Sequence, residues 1–254
     1  MAFYNNSKEV RKQIVKNISD DILADTNKNS TSKYLEYFED QDTYIRKSAY
    51  TAVGNIIRSD EKKLKPVLKI LNELFTHDDP RVRQSVINAA GEIGKNNFKS
   101  VEHYFDKGLT DPHHSPRNAV IGSIKKMGEV NPEPVLKWAR KYLHHPDKEI
   151  RREICHGIEL RGRTYPQDIL PLLKELQHDQ TARVRNTLVH VLGQIAYKKG
   201  CLSTVVNELK LWENKDLVKD ALEEIIDVHD RYQEFAELSQ KKVKDFIRAS
   251  FTNK

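Results

Sequence analysis

The chain has 254 residues, of which 31% are charged and 38% hydrophobic, and its formal net charge at pH 7 is +6. This composition predicts a folded core and excludes an integral membrane protein, because no apolar run approaches the length of a membrane-spanning helix. The few Gly and Pro residues favour helices joined by short turns. Because the first residues lack an apolar signal segment and only two cysteines occur, we expect a cytoplasmic protein with reduced thiols.

The N-terminal residues 1–32 are predicted to form a capping helix followed by a polar linker. Within residues 7–24, Val10, Ile14 and Ile18 recur at helical spacing, and Ser7 can cap this helix. Residues 25–32 (DTNKNSTS) are polar throughout, so we expect them to form the linker.

A repeat begins at residue 33 and is marked by an Arg that follows an apolar residue or Pro. These arginines are spaced by 37, 34, 34 and 34 residues and are Arg46, Arg83, Arg117, Arg151 and Arg185. With this Arg as position 0, positions −1, +3, +4, +7 and +10 share one helix face. Those positions are mostly apolar, which predicts one amphipathic helix in each repeat, the second helix.

A shorter apolar segment precedes each second helix and is predicted to be the first helix of the repeat. The five segments are residues 34–38, 64–75, 101–109, 134–143 and 169–177. Two helices every 34 to 37 residues are the unit of an α-solenoid. Small residues at positions +6 to +8, such as Gly54, Gly91 and Gly193, are expected to let neighbouring helices approach closely.

The repeats resemble the HEAT family in their turns and in their first helices. A turn Asp stands six residues before the Arg at Asp40/Arg46, Asp111/Arg117 and Asp179/Arg185. A Pro occurs in the first helix at Pro66, Pro134 and Pro171. The resemblance implies that the arginines are structural and bridge neighbouring repeats by pairing with a turn Asp.

The C-terminal residues 201–254 are predicted to form a sixth helix pair and a final capping helix. Five HEAT-like repeats then span residues 33–200. The predicted fold is all-α, a right-handed α-solenoid of about six HEAT-like helix pairs with extra helices at both ends. We expect a monomer.

The solvent face of the second helices is the predicted binding surface, since the resemblance implies that these helices line a concave groove. Positions +1, +5, +9 and +12 lie opposite the apolar face, and only two of these twenty residues are acidic. Residues 116–200 carry 16 Lys and Arg against 9 Asp and Glu, a net charge of +7. The predicted contact residues are Lys47, Lys95, Lys126, Arg152, His156, Arg163, Asn186 and His190.

The predicted partner of this groove is an elongated anion, DNA or RNA. Lys and Arg release counterions from a phosphate backbone, and Asn, Gln and His can bond its oxygens. An acidic protein segment is the alternative partner, which would make the chain a protein-interaction scaffold, and a groove without a specific ligand is a further alternative. No cofactor and no membrane contact are expected.

A DNA alkylation-repair glycosylase is the alternative enzymatic function. Residues 145–163 resemble a stretch of the bacterial AlkC/AlkD-type glycosylases, and the resemblance is carried by Arg151, Arg152, Gly157, Arg161 and Arg163. However, His156 stands where that family tends to have Glu, and Trp138 is followed one turn later by Tyr142 rather than Asp. Trp212 has Asp216 one turn on, but it lies outside the basic segment. The sequence therefore favours a non-enzymatic binding protein and assigns no catalytic residue.

No metal site is predicted, and Cys155 is interpreted as a buried thiol because it occupies the apolar position +4. Several histidines are adjacent rather than spaced along one helix face, and no Cys or Asp pattern completes a ligand set. The histidines considered, all interpreted as turn residues, are His113, His114, His144, His145, His156 and His178.

Overall fold

A computed structural model describes residues 3–252 of the chain and their side chains as far as residue 251. Helices and turns account for this part of the chain, and no strand occurs in it, so the all-α prediction is confirmed. None of the helices in this range combines the length and the apolar composition that a bilayer crossing requires. The chain divides into two compact units, Met1–Ser123 and Ile124–Lys254.

The first unit contains an N-terminal helix and the helices of the first three repeats. The helices are α1 (Lys8–Lys28), α2 (Ser32–Phe38), α3 (Thr43–Ser59), α4 (Leu64–Leu74), α5 (Pro80–Asn97), α6 (Glu102–Gly108) and the first part of α7 (His114–Val130). Helix α3 packs against both α1 and α5. The N-terminal helix therefore takes the place of a second helix ahead of the first repeat, and Ile22, Val53 and Val86 are fully buried in this unit.

The second unit continues the same pattern of paired helices. After the end of α7 come α8 (Pro132–Arg140), α9 (Lys148–Gly157), α10 (Glu159–Gly162), α11 (Pro166–Lys174), α12 (Ala182–Ala196), α13 (Cys201–Leu209), α14 (Lys215–Arg231) and α15 (Gln240–Thr252). The second helices α9, α12 and α14 lie side by side, and α15 packs on the last pair. The predicted sixth pair and final helix are confirmed, and Trp212 lies in the turn after α13.

The second helices α3, α5 and α9 begin at aspartate caps in the turns, and the apolar faces of the second helices are buried. Asp42, Asp79 and Asp147 each accept a hydrogen bond from the backbone N–H two residues later, at 2.7 to 2.8 Å. Such caps satisfy backbone donors that the first helical turn leaves open. Along α12, Val184 and Leu188 are fully buried, as the apolar periodicity predicted.

Helix α1 continues through residues 25–28, where the sequence predicted a linker. Thr26 Oγ1 donates to the carbonyl of Ile22 at 2.8 Å and bonds the hydroxyl of Tyr34 at 2.7 Å. Asp25 accepts from the N–H of Lys33 at 2.6 Å, and both polar side chains are buried. The linker prediction was wrong for these residues because polar side chains with specific partners can be buried, and the helix ends only at Asn29, whose φ is 52°.

The position-0 arginines fasten each second helix to its preceding turn and also join repeats. In all five repeats the guanidinium Nη1 donates to the backbone carbonyl six residues earlier, at 2.5 to 2.9 Å. Arg83 additionally donates to both carboxylate oxygens of Asp111, and Arg151 to both of Asp179, which lie one repeat further on. The predicted bridge between repeats is thus confirmed for these two arginines. Within a repeat the acceptor is the turn carbonyl and not the Asp side chain.

Neighbouring second helices approach closely at position +8. A Cβ on Gly91 would lie 2.7 Å from Ser123 Cβ, and a Cβ on Gly193 would lie 2.6 Å from Glu224 Cγ. Position +8 of the third and fourth repeats carries Lys125 and Glu159 instead. These two side chains form an ion pair at 3.2 Å, so a salt bridge replaces the close backbone contact at this level.

Candidate functional site

An open groove of about 490 Å³ lies between α9 and α12 in the second unit. Its lining residues are Arg152 and His156 from α9 and Arg183, Asn186, Thr187 and His190 from α12. Four of the eight predicted contact residues therefore share one solvent-facing surface, although their role in binding stays a prediction. We call this surface the α9–α12 groove.

The sequence analysis missed Arg183 and Thr187, and helix geometry explains why Arg183 belongs to the groove. Arg183 occupies position −2, seven residues before His190 at position +5. Seven residues are close to two helical turns, so both side chains point in nearly the same direction. The predicted binding face included positions +1, +5, +9 and +12, and position −2 continues the same face by one more step toward the start of the helix.

One carboxylate links the two guanidinium groups at the rim of the groove. Arg152 Nε donates to Glu149 Oε2 at 2.9 Å, and Arg183 Nε forms an ion pair with Glu149 Oε1 at 3.3 Å. Arg152 also lies 3.6 Å from the buried carboxylate of Glu153. The guanidinium groups are therefore oriented before any ligand arrives, and an incoming anion competes with Glu149 for them.

A buried carboxylate, Glu159, lies beside the groove at the centre of several cationic groups. Its side chain is only 1% exposed. Lys125 Nζ lies 3.2 Å and His156 Nε2 lies 3.1 Å from Oε2, while Arg163 Nε donates to Oε1 at 2.9 Å. Burial raises the pKa of Glu159, but the hydrogen bond from His156 and the charges of Lys125 and Arg163 outweigh this effect and lower it to about 2. Glu159 is therefore an anion at neutral pH.

The remaining four predicted contact residues lie outside the α9–α12 groove. Lys95 pairs with the buried Glu92 at 2.5 Å. Arg163, besides bonding Glu159, donates to Gln194 Oε1 at 2.9 Å, so its guanidinium stabilises internal acceptors. Lys126 is exposed on α7. Glu159 stands four residues before Arg163, a spacing at which oppositely charged side chains pair on a helix, so the sequence did offer a signal for this pair.

Lys47 lines a different open groove, of about 520 Å³, within the first unit. This groove lies between α1 and α3, where Lys12 and Lys16 come from α1 and Thr51 and Asn55 from α3. Lys47, Thr51 and Asn55 occupy positions +1, +5 and +9 of their repeat. The predicted register thus describes a groove-lining surface in each unit.

Neither tryptophan can act on a ligand in a groove. Trp138 is 1% exposed and Trp212 is fully buried, so both belong to the core. Neither of them can therefore supply the aromatic ring of an aromatic–carboxylate pair that recognises an altered base. Cys155 is fully buried, which confirms its interpretation as a buried thiol, and burial raises the pKa of that thiol.

Some of the histidines interpreted as turn residues lie in turns, whereas His156 lies in the groove. The Nδ1 atoms of His113 and His145 accept hydrogen bonds from the N–H groups of Ser115 and Asp147 at 3.1 and 3.0 Å, so both are turn residues as predicted. His156 is not a turn residue, because it lies within α9. Its imidazole lies beside that of His190, with ring centroids 6.1 Å apart.

No protein-family model and no curated protein matches the chain. The described residues form paired helices in successive repeats, with turn arginines and inter-repeat Asp–Arg pairs. These are the features in which the sequence resembles HEAT repeats.

Several solved structures resemble the chain at low sequence identity. The HEAT-like repeats protein of the archaeon Thermococcus onnurineus NA1 is 18% identical, with 96% of this chain and 97% of that chain covered and a TM-score of 0.43. For smu.31 of Streptococcus mutans UA159 the identity is 17%, the coverage 83% and 96%, and the TM-score 0.47. A chain of the Pds5–Scc1 complex is 11% identical, with 88% of this chain and 36% of that chain covered and a TM-score of 0.48. None of these similarities bears on a ligand.

Proposed function

We propose that this chain is a HEAT-like repeat protein that binds the phosphate backbone of DNA or RNA in the α9–α12 groove. The observation that supports the proposal most is the convergence of two guanidinium groups, two imidazoles, an amide and a hydroxyl on one open surface. All six groups can donate hydrogen bonds, and phosphate oxygens only accept them.

The chemistry of these donors suits a backbone rather than a base sequence. Arg152 and Arg183 attract and bond phosphate oxygens, and Asn186 and Thr187 add neutral donors between them. No Phe, Tyr or Trp side chain is among the described residues that line this groove, so a large ring for base stacking is missing from that set. We therefore expect binding that depends little on nucleotide sequence.

The carboxylate of Glu149 limits how tightly the groove can bind. It already pairs with both arginines, so a phosphate group gains only the difference between its own contacts and those of Glu149. We accordingly expect micromolar affinity, well below that of a groove lined by unpaired cations.

A salt titration of the full chain tests the proposal. Binding of short fluorescein-labelled single-stranded DNA, duplex DNA and RNA would be followed by fluorescence anisotropy at about 50 mM and about 200 mM salt. With two to four phosphate contacts, affinity for at least one of these ligands should fall roughly 10- to 100-fold between the two conditions.

Two outcomes of this titration would contradict the proposal. The first is the absence of saturable binding at the lower salt concentration. The second is tighter binding of a labelled poly-glutamate peptide than of any nucleic acid, which would identify an acidic protein segment as the partner.

A further inference from the structure

We propose that His156, Glu159 and His190 form a binding site for a divalent transition-metal ion of the Zn²⁺ class, and that the ammonium group of Lys125 holds the cation position when no metal is bound. The three residues each offer one ligand atom, and these atoms lie within 4.8 Å of one another. Two imidazole nitrogens and one carboxylate oxygen form a ligand set that zinc accepts, with a fourth position left for water.

The distances among the ligand atoms are close to those that a tetrahedral ion requires. Zinc–nitrogen and zinc–oxygen bonds of about 2.0–2.2 Å place neighbouring ligand atoms roughly 3.3–3.5 Å apart. His156 Nε2 and Glu159 Oε2 are already 3.1 Å apart. The ligand atom of His190 lies no more than 4.8 Å from the other two, so it must approach by roughly 1.5 Å at most, and its 44% exposed side chain has room to move.

Neighbouring side chains hold two of the ligands in the orientation that metal binding needs. Arg163 bonds only Oε1 of Glu159, which leaves Oε2 directed toward His156. Glu224 Oε1 lies 3.8 Å from Nδ1 of His190, which favours its Nε2 as the ligand atom. Carboxylate and guanidinium partners of this kind are typical of the residues that orient metal ligands.

The position of Lys125 independently indicates that this cluster accommodates a cation. Its Nζ lies 2.9 Å from His156 Nε2 and 3.2 Å from Glu159 Oε2, so it contacts two of the three ligand atoms. The ammonium group is a compact cation, so two of the three ligand atoms already face a positive charge at this point. The flexible lysine stem can move its charge toward solvent when a metal ion takes its place.

Calorimetric titration of the full chain with ZnCl₂ tests the site in the absence of nucleic acid. We expect one zinc ion per chain, and at least a 10-fold weaker affinity in His156→Ala and in His190→Ala. Replacing the competing cation, as in Lys125→Met, should instead strengthen zinc binding by about 10-fold, because Glu159 then lacks that neutralising charge. Saturating zinc should raise the melting temperature of the wild-type chain and leave that of His190→Ala unchanged.

His178→Ala is the matched control, because His178 is also exposed and pairs with a glutamate, Glu213, at 3.3 Å. It belongs to no three-ligand cluster among the described residues, so its zinc affinity should equal that of the wild type. No saturable zinc binding by the wild-type chain would overturn the proposal, and so would equal binding by His156→Ala and His190→Ala. A nucleic-acid result has no influence on this test, so the two proposals can fail separately.

Discussion

Arg151→Ala is expected to lower the free energy of unfolding of the second unit by about 3–5 kcal/mol. Arg151 donates to the carbonyls of His145 and Pro146 at 2.7 and 3.0 Å and to both carboxylate oxygens of Asp179. The Asp179 side chain is only 5% exposed. Removal of the guanidinium leaves a buried carboxylate and two turn carbonyls without their principal donor, and an uncompensated buried charge is the costliest of these losses.

Urea unfolding followed by tryptophan fluorescence measures this loss, because Trp138 and Trp212 are both buried in the second unit. Arg183→Ala is the control. Its side chain is 64% exposed and its ion pair with Glu149 spans 3.3 Å, so it should cost less than about 1 kcal/mol. Equal effects of the two substitutions would show that the inter-repeat arginine has no special structural role.

The pairing of Arg151 with Asp179 makes the free energy of unfolding of the second unit depend on pH in the acidic range. Burial raises the pKa of Asp179, but the hydrogen bonds from Arg151 and from the N–H of Thr181 outweigh it, so the pKa is lowered. A carboxyl group whose pKa is lowered by folding stabilises the folded state fully at a pH above its unfolded pKa, which is about 3.9 for Asp. This stabilisation is lost as the pH falls from that value through the lowered pKa of the folded state. The wild-type advantage over Arg151→Ala should therefore shrink in that acidic range.

The double substitution Arg152→Gln/Arg183→Gln is expected to weaken nucleic-acid binding by about 30-fold, or about 2 kcal/mol. Each guanidinium contributes a charged hydrogen bond to phosphate, and glutamine keeps a donor but loses the charge. Glutamine also avoids placing a new carboxylate beside Glu149 and Glu153. Anisotropy titrations at low salt would measure the change, and the salt dependence of the remaining binding should become shallower.

The matched control for this variant is Arg140→Gln/Lys141→Gln, which removes the same charge from the end of α8. Arg140 is 68% exposed and pairs with Glu175 at 2.8 Å, and neither residue lines the α9–α12 groove. This control should change affinity by less than about 3-fold, the size of a general charge effect. If both double variants lose affinity equally, net charge and not the groove determines binding.

Local periodicity was sufficient to predict the repeats of this fold. The spacing of the position-0 arginines gave the register of the second helices in the first five repeats, and the apolar positions around Val53 and Leu192 are buried as expected. The convergence of Arg152, His156, Asn186 and His190 followed from the same register, because equivalent positions on adjacent helices are neighbours in a stacked repeat. The prediction failed at Asp25 and Thr26, where polar residues are buried through specific partners.

Contacts between repeats could not be predicted from residue types alone. The pair formed by Lys125 and Glu159 joins two residues at position +8, where the neighbouring repeats have glycine, and only the packing of two helices brings them together. His156 and His190 are separated by more than 30 residues in sequence, so no motif with fixed ligand spacing includes both. Gln194, the partner of Arg163 in the next repeat, was missed for the same reason, whereas its other partner, Glu159, stands only four residues before it.

The most direct test of the groove as a phosphate-binding site is the nucleic-acid affinity of Glu149→Gln. Glu149 pairs with both Arg152 and Arg183, so its neutralisation frees these donors for phosphate. We expect about 3- to 10-fold tighter binding of nucleic acid. Loss of an acidic residue from the first turn of α9 should also lower the free energy of unfolding by about 0.3–1 kcal/mol. Unchanged or weaker binding by this variant would contradict the phosphate-binding role of the groove.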